Sequence, residues 1–242
     1  ASLVQDDVVD ESDRRRGQRS VNALLDNKAA VLVGDYLLSK ALQHAALTRS
    51  LEVVETVACL GQTLADGELL QLTNLDNTDF SEAHYLDILR KKTASLFVAC
   101  ARCGALLAGA PAETLAQLTD FAERVGICFQ IRDDIFDYAQ HDVGKPVGHD
   151  ILEGKITLPL LHCLQSEQAG AEREMALMTR RGEAGAGEVE HLLNFTVEQG
   201  GLDYAKRQMD AYCREAVQKL QRDGEVADSL RLYAAFVAGR DV

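Results

Sequence analysis

With 242 residues, 47% of them hydrophobic and 26% charged, the chain is long enough to bury one sizeable core, and no inter-domain linker divides it. A net charge of −13 excludes the phosphate backbone of a nucleic acid as the main partner; only a local basic cluster or bridging metal ions could hold an anion here. Just three prolines, 5% aromatics and abundant Ala and Leu favour helices over sheet, because these side chains lose little rotamer freedom in a helix.

The first residues, ASLVQDDVVD, already have the pattern of a helix interior with no cap before them, so the true N-terminus is expected upstream. After this helix end (1–12) comes an Arg/Gly loop (13–20), then helices over about 23–47 and 49–72 and a polar NLDNTD break at 74–79. Ser81 is placed to cap a long helix running to about Leu107. Gly109 and Pro111 end it and open the next, about 112–139. Three glycines and a proline make 140–156 an ordered loop or a broken short helix. Thr157 is expected to cap a helix to about 168, with Pro159 tolerated in its first turn. GEAGAGE at 182–188 is a surface linker, and helices follow near 186–199, 201–222 and 225–238. No strand alternation and no internal repeat stands out. The expected class is all-α, one domain over 1–242.

Six cysteines lie in apolar, helix-patterned stretches, which predicts reduced, buried thiols rather than a disulfide framework. Cys100 and Cys103 form a CxxC with no second pair, and two core cysteines are expected there. The longest apolar run, 94–110, contains Arg102 and is too short to span a bilayer, and no signal peptide is present. A soluble, cytoplasmic protein is expected.

Two acidic motifs carry the chemistry: DDVVD at 6–10 and DDIFD at 133–137. In a helix Asp6 and Asp10 are i and i+4 and share a face, as do Asp133 and Asp137, with Asp134 one residue round. Like charges at that spacing, with Val8, Val9, Ile135 and Phe136 between them, call for a counter-ion. The hard-cation solution is Mg²⁺ held by one or two carboxylates per ion, with phosphates and waters completing the octahedron. One such motif alone would be a solvated acidic face; two copies are not. Arg14, Arg15 and Arg16 follow the first motif, Lys92 and Thr93 lie on the long helix, and Lys145 and Lys155 follow the second motif. Together they have the placing of a shell around a diphosphate. Gln130 lies on the same helix side as the second motif's carboxylates. Neither zinc spacing, nor GxSxG, nor a P-loop occurs.

The ordered segments DDVVDESDRRRGQ, GDYLLSKAL, GQTLADGELLQL, KKTASLF, FQIRDDIFD and GKPVGHDILEGKITLPLL resemble the all-trans isoprenyl diphosphate synthases along essentially the whole chain. The likeness is strongest to the longer-chain branch that makes quinone side chains, such as octaprenyl and solanesyl diphosphate synthases. It implies an orthogonal bundle of antiparallel helices around a deep apolar cavity (the isoprenoid synthase fold), usually a homodimer. It implies further that Asp6, Asp10 and Asp133, with Asp137 completing the second motif, hold Mg²⁺, three ions per site, with Mn²⁺ able to substitute. Arg15, Lys92, Lys145 and Lys155 would contact an allylic diphosphate, Arg16 isopentenyl diphosphate, and Thr93 and Gln130 would set oxygens near the developing allylic cation. Two features depart from the family pattern. Gln5 stands where a His is common, and the upstream helices with a Gly-Lys-Arg motif are not in this sequence.

Short-chain family members carry bulky aromatics four and five residues before the first motif, as a floor to the cavity. Ser2 and Ala1 occupy those places, about one helical turn or ~6 Å below Asp6, so a product longer than C20, C35 to C50, is expected. The alternatives are a non-catalytic subunit of a heteromeric synthase, against which all six motif carboxylates count, a shorter-chain (geranylgeranyl or farnesyl) synthase, and a terpene cyclase, against which the second DDxxD counts.

Overall fold

The computed structural model describes residues 1–15, 17–73, 78–138, 148–220 and 224–239. Arg16 and Lys145, both expected at the site, lie outside them. The described chain is all-α apart from one minimal hairpin. Helix α1 (Ser2–Val9) is followed by two paired two-residue strands, β1 (Arg14–Arg15) and β2 (Gln18–Arg19), in the register Arg14↔Arg19, Arg15↔Gln18. This stretch reads as a loop in the sequence; strands of two residues are too short for any alternation to show.

A four-residue turn of helix, α2 (Val21–Leu24), precedes α3 (Asn27–Leu47). The two do not merge because Asp26 caps α3, its carboxylate accepting the Ala29 N–H at 2.6 Å. Ser50 caps α4 (Leu51–Leu72) and Ser81 caps α5 (Glu82–Leu89) by the same device. The expected long helix from Ser81 to Leu107 exists, but a π-helical turn at Arg90–Ala94 separates α5 from α6 (Ser95–Leu107). α7 (Ala112–Phe136) starts after Pro111 and is followed by α8 (His149–Leu152), α9 (Leu158–Leu164), α10 (Gly170–Arg180), α11 (Ala186–Glu198), α12 (Gly201–Lys219) and α13 (Glu225–Gly239). α10 is not foreseen from the sequence. Its stretch is charge-rich, starts at a glycine without a capping side chain, and its closely packed inner residues are only Ala176 and Thr179.

α7 is the central helix, packed between α6 and α12. Phe121, Val125, Ile127, Cys128 and Ile131 are at most 4% exposed and join Tyr85, Leu89, Leu158, Leu161 and Met209 in one core. Each such side chain contributes roughly 1.5–3 kcal/mol by leaving water. A second cluster under α8–α11 holds Ile151, Leu160, Leu164, Ala176 and Leu192. Two glycines set how closely the π-helical turn is gripped. A Cβ at Gly67 of α4 would lie 2.8 Å from Lys91 Cβ and 2.9 Å from Lys92 Cγ; one at Gly126 of α7 would lie 2.6 Å from Ala94 Cα. The turn therefore lies between α4 and α7 at distances only glycine permits.

The cysteines differ from expectation. Cys128 and Cys163 are buried, but Cys59 and Cys100 are exposed and Cys103 and Cys213 half-buried. All six are free thiols. Among the described residues no helix is long and apolar enough to cross a membrane.

Candidate active site

A cavity of about 550 Å³ opens between the end of α1, the C-terminal part of α4, the α5–π-turn helix, α7 and the loop after α8. The first motif supplies one wall. Asp10 lines the cavity, and Asp6 faces Glu68 of α4; burial, then the Glu68 carboxylate, hold Asp6 above the usual carboxylate range. Asp7 turns the other way. It is 3% exposed, and its carboxylate accepts from Arg15 Nε at 2.7 Å, while Asn22 Nδ2 bonds its backbone oxygen and that of Ser12. Arg15 is thus tied to the motif it follows, and the hairpin with it. Gln5 packs against Gly34 and donates to Asp35 at 3.1 Å.

The π-helical turn supplies the second wall. Lys92 Nζ lies 2.6 Å from Glu68 Oε2 and 2.9 Å from Gln71 Oε1, both of which line the cavity. Neither partner is singled out by the sequence reading, although Glu68 and Gln71 stand out as an i, i+3 polar pair in an otherwise apolar helix end. Thr93 Oγ1 donates to Gln130 Oε1 of α7 at 2.8 Å. Gln130 Nε2 donates to Asp134 Oδ1 at 2.9 Å, and the buried Tyr85 hydroxyl donates to Asp134 Oδ2 at 2.6 Å.

The second motif divides its labour in a way that spacing alone did not show. Asp134 is buried, and burial, then the neighbouring Asp150, push it up to about 7, although its bonds to Tyr85 and Gln130 oppose this. Asp133 is half-buried. Asp137 accepts the N–H groups of His149 and Asp150 at 3.1 Å each, so both its oxygens anchor the start of α8. Asp150 is raised to about 6 by burial, then by Asp137, with Lys155 opposing. Lys155 lies 2.7 Å from Glu153 Oε2 and 3.9 Å from Asp10 Oδ1. Burial pulls its pKa down, but these carboxylates outweigh it and the net direction is up. Arg180 of α10, stacked 5.1 Å from the Phe80 ring, adds a third cation to the cavity wall.

The structure therefore brings Asp10, Lys92, Thr93, Gln130 and Lys155 to one cavity, with Asp6 beside it at Glu68. Ala1, Ser2, Asp6, Arg15, Asp133 and Asp137 are not among the residues that line it; Ala1 is exposed and Ser2 half-buried. Asp6 and Asp10 of the first motif, with Glu68 beside Asp6, gather carboxylates on one side of the cavity, and hard oxygen donors of this kind fit a divalent cation, whose +2 charge relieves their repulsion. Among the described residues no three acidic, His or Cys side chains already converge into a cage. The lining is mostly polar and charged, with Ile88, Leu89, Ile156 and Leu161 in its apolar part, so carboxylates, cations and oxygen dipoles meet in one cavity.

A family model described as polyprenyl synthetase matches residues 1–196. The octaprenyl diphosphate synthase of Escherichia coli K12 is 38% identical over 227 residues, 91% of this chain and 69% of that protein. The crystal structure of a geranylgeranyl pyrophosphate synthase from Bacteroides thetaiotaomicron is 43% identical, with a TM-score of 0.89 over 99% of this chain and 76% of the other. A Caulobacter crescentus polyprenyl synthase complexed with calcium and isoprenyl diphosphate is 32% identical, with a TM-score of 0.89 over 99% and 74%.

Proposed function

Because the chain belongs to the polyprenyl synthetase family of prenyltransferases, with its all-α isoprenoid synthase fold, we propose that it condenses isopentenyl diphosphate with an allylic diphosphate, head to tail and all-trans, to a long-chain polyprenyl diphosphate. The observation that carries this reading is one cavity lined by carboxylates of both acidic motifs, Asp10 and Asp134, together with Lys92, Lys155, Thr93 and Gln130. Asp6, Asp10 and Asp133 hold the cations, with Asp137 at the edge of the set because both its oxygens already receive backbone N–H groups. When bound, Mg²⁺ supplies the positive charge that makes a diphosphate a stabilised leaving group. The calcium and isoprenyl diphosphate together in the Caulobacter relative support this pairing of cation and ligand.

The chain's own residues do the rest. Lys92, Lys155 and Arg15 (its terminal amino groups, since Nε is bonded to Asp7), with Arg16 and Lys145, bind and orient the two diphosphates. Their fixed charge acts most where charge develops on the leaving oxygens. Thr93 and Gln130 face the allylic carbon with oxygens. Leu89, Leu161, Ile88 and Ile156 keep water from the cation. The proton lost after carbon–carbon bond formation leaves with the departing diphosphate.

A product of C35 to C50 is supported by the similarity to octaprenyl diphosphate synthase, and the 43% identity to a geranylgeranyl synthase marks the shorter-chain alternative that product sizing decides. The protein acts as a homodimer in this reading, supported by apolar side chains exposed along α3 and α4, among them Leu32 (67%), Tyr36 (61%) and Leu51 (70%). Incubating the purified protein with isopentenyl diphosphate, farnesyl diphosphate and Mg²⁺, and sizing dephosphorylated products by reversed-phase chromatography, tests the whole reading. A polyprenol ladder that EDTA abolishes is expected; no condensation at all, or a cyclised hydrocarbon, refutes it.

A further inference from the structure

The chain of hydrogen bonds Tyr85–Asp134–Gln130–Thr93 has a direction, and the direction is chemically constrained. Asp134 accepts at both oxygens, from the Tyr85 hydroxyl and from the Gln130 NH₂, so the Gln130 oxygen points the other way. There Thr93 donates to that oxygen, which leaves lone pairs of both residues at the cavity. Amide nitrogen and oxygen are nearly the same size, so packing does not distinguish the two ends; hydrogen-bond polarity does. Reversed, the amide would aim two N–H groups at the same place. For a site that stabilises a cation that is the wrong sign.

We propose that Asp134 and Tyr85 are positioning residues whose task is to fix the Gln130 amide with its oxygen, not its nitrogen, toward the reacting carbon; this rests on the prenyl-transfer reading above. Tyr85 matters because its hydroxyl donates to the second Asp134 oxygen and holds that carboxylate in one rotamer. It also decides what an amide in place of Asp134 would do. In Asp134→Asn the Tyr85 hydroxyl keeps the oxygen, the new NH₂ faces Gln130, and the Gln130 amide reverses.

The experiment compares Asp134→Asn, the swap Asp134→Asn/Gln130→Glu, and Tyr85→Phe. Asp134→Asn should lower kcat by about 10²–10³-fold, the scale of one misdirected dipole at a developing charge, with KM for both diphosphates within about threefold. The swap restores the polarity, because the introduced amide then donates to the introduced carboxylate, whose other oxygen meets Thr93. It should recover kcat to within about tenfold of the parent. Tyr85→Phe keeps the acceptor and should cost only about 3–10-fold in kcat. A readout independent of turnover is the ¹⁵N-resolved exchange of the Gln130 side-chain amide in protein without substrate or metal. It should be protected in the parent and in Tyr85→Phe, and at least about tenfold faster in Asp134→Asn, where the NH₂ faces the open cavity. A swap no better than Asp134→Asn, a loss confined to KM, or unchanged exchange overturns the proposal. A parent protein that never consumes isopentenyl diphosphate overturns the functional reading instead, and the exchange arm then decides the amide orientation alone.

Discussion

Replacing Gly126 by Ala tests whether the π-helical turn is held in place from outside. A methyl there would lie 2.6 Å from Ala94 Cα and 2.9 Å from Ala94 Cβ, and 3.2 Å from Phe97 Cδ2. Ordinary contact begins at 3.4 Å, so Ala94 must retreat by about 0.8 Å, and its Cα is backbone rather than the yielding end of a side chain. Overpacking of this kind costs roughly 1–3 kcal/mol. The helix gains about 0.5–1 kcal/mol from the Gly-to-Ala change itself, which leaves a net loss of about 1–2 kcal/mol. In a chain this long each kcal/mol moves Tm by about 2–4 °C.

Gly104 is the matched control. It lies in α6, is exposed, and a methyl there meets nothing within 4 Å. Gly104→Ala should therefore raise Tm by about 1–4 °C, while Gly126→Ala lowers it by about 2–8 °C. Thr93 is next to Ala94, so the 0.8 Å retreat carries it off Gln130, and a misplacement of about 1 Å costs about 100-fold in turnover. Thermal unfolding followed by circular dichroism, with kcat measured on the same samples, checks both. If Gly104→Ala and Gly126→Ala shift Tm alike and neither slows turnover, the idea that glycine sets the π-turn's place is wrong.

Asp6→Asn or Asp133→Asn should cut turnover by several orders of magnitude, measured at saturating Mg²⁺, because each removes a cation ligand. Mg²⁺ at about 100 times its dissociation constant should stabilise the protein by about 2.7 kcal/mol, seen as a Tm rise that both Asn variants lack. Arg15→Ala strands the buried Asp7 carboxylate and should destabilise by about 1–3 kcal/mol, discounted from the fully buried case because Arg15 is 38% exposed; Arg15→Ala/Asp7→Asn should recover most of it in urea titrations. Ala1→Phe or Ser2→Phe should shorten the product to C15–C20 while the first condensation proceeds at its usual rate, read from the polyprenol ladder.

What the sequence made legible, and what it did not, follows from how far a helical period can be carried. Caps at Ser81 and Pro111 and the i, i+4 carboxylates of DDVVD are local signals, and they survive in the structure as α5, α7 and the Asp6–Asp10 face. The roles of Asp7, Tyr85 and Asp134 are not readable, because they depend on partners 8 to 49 residues away. The π-helical turn is the instructive failure. RKKTA has no Gly, no Pro and no other mark of an irregular helix. Carried straight on at α spacing, the buried line Tyr85–Leu89 would continue through 93, 96, 100 and 104, and so would bury Cys100. The turn inserts one extra residue, so the buried positions are instead Ala94, Ala99 and Ala105, and Leu96, Cys100 and Gly104 rotate out to the exposed side. The cause is not in the helix that departs from the rule. It lies in Gly67 and Gly126, on the two helices flanking it, and in the close approach they allow. The wider turn also narrows the angle between successive side chains, so that Lys92 and Thr93 both line the cavity, one bonded to Glu68 and the other to Gln130. A one-residue irregularity in an otherwise regular helix is thus both the place where periodicity misled and the place where the site is built.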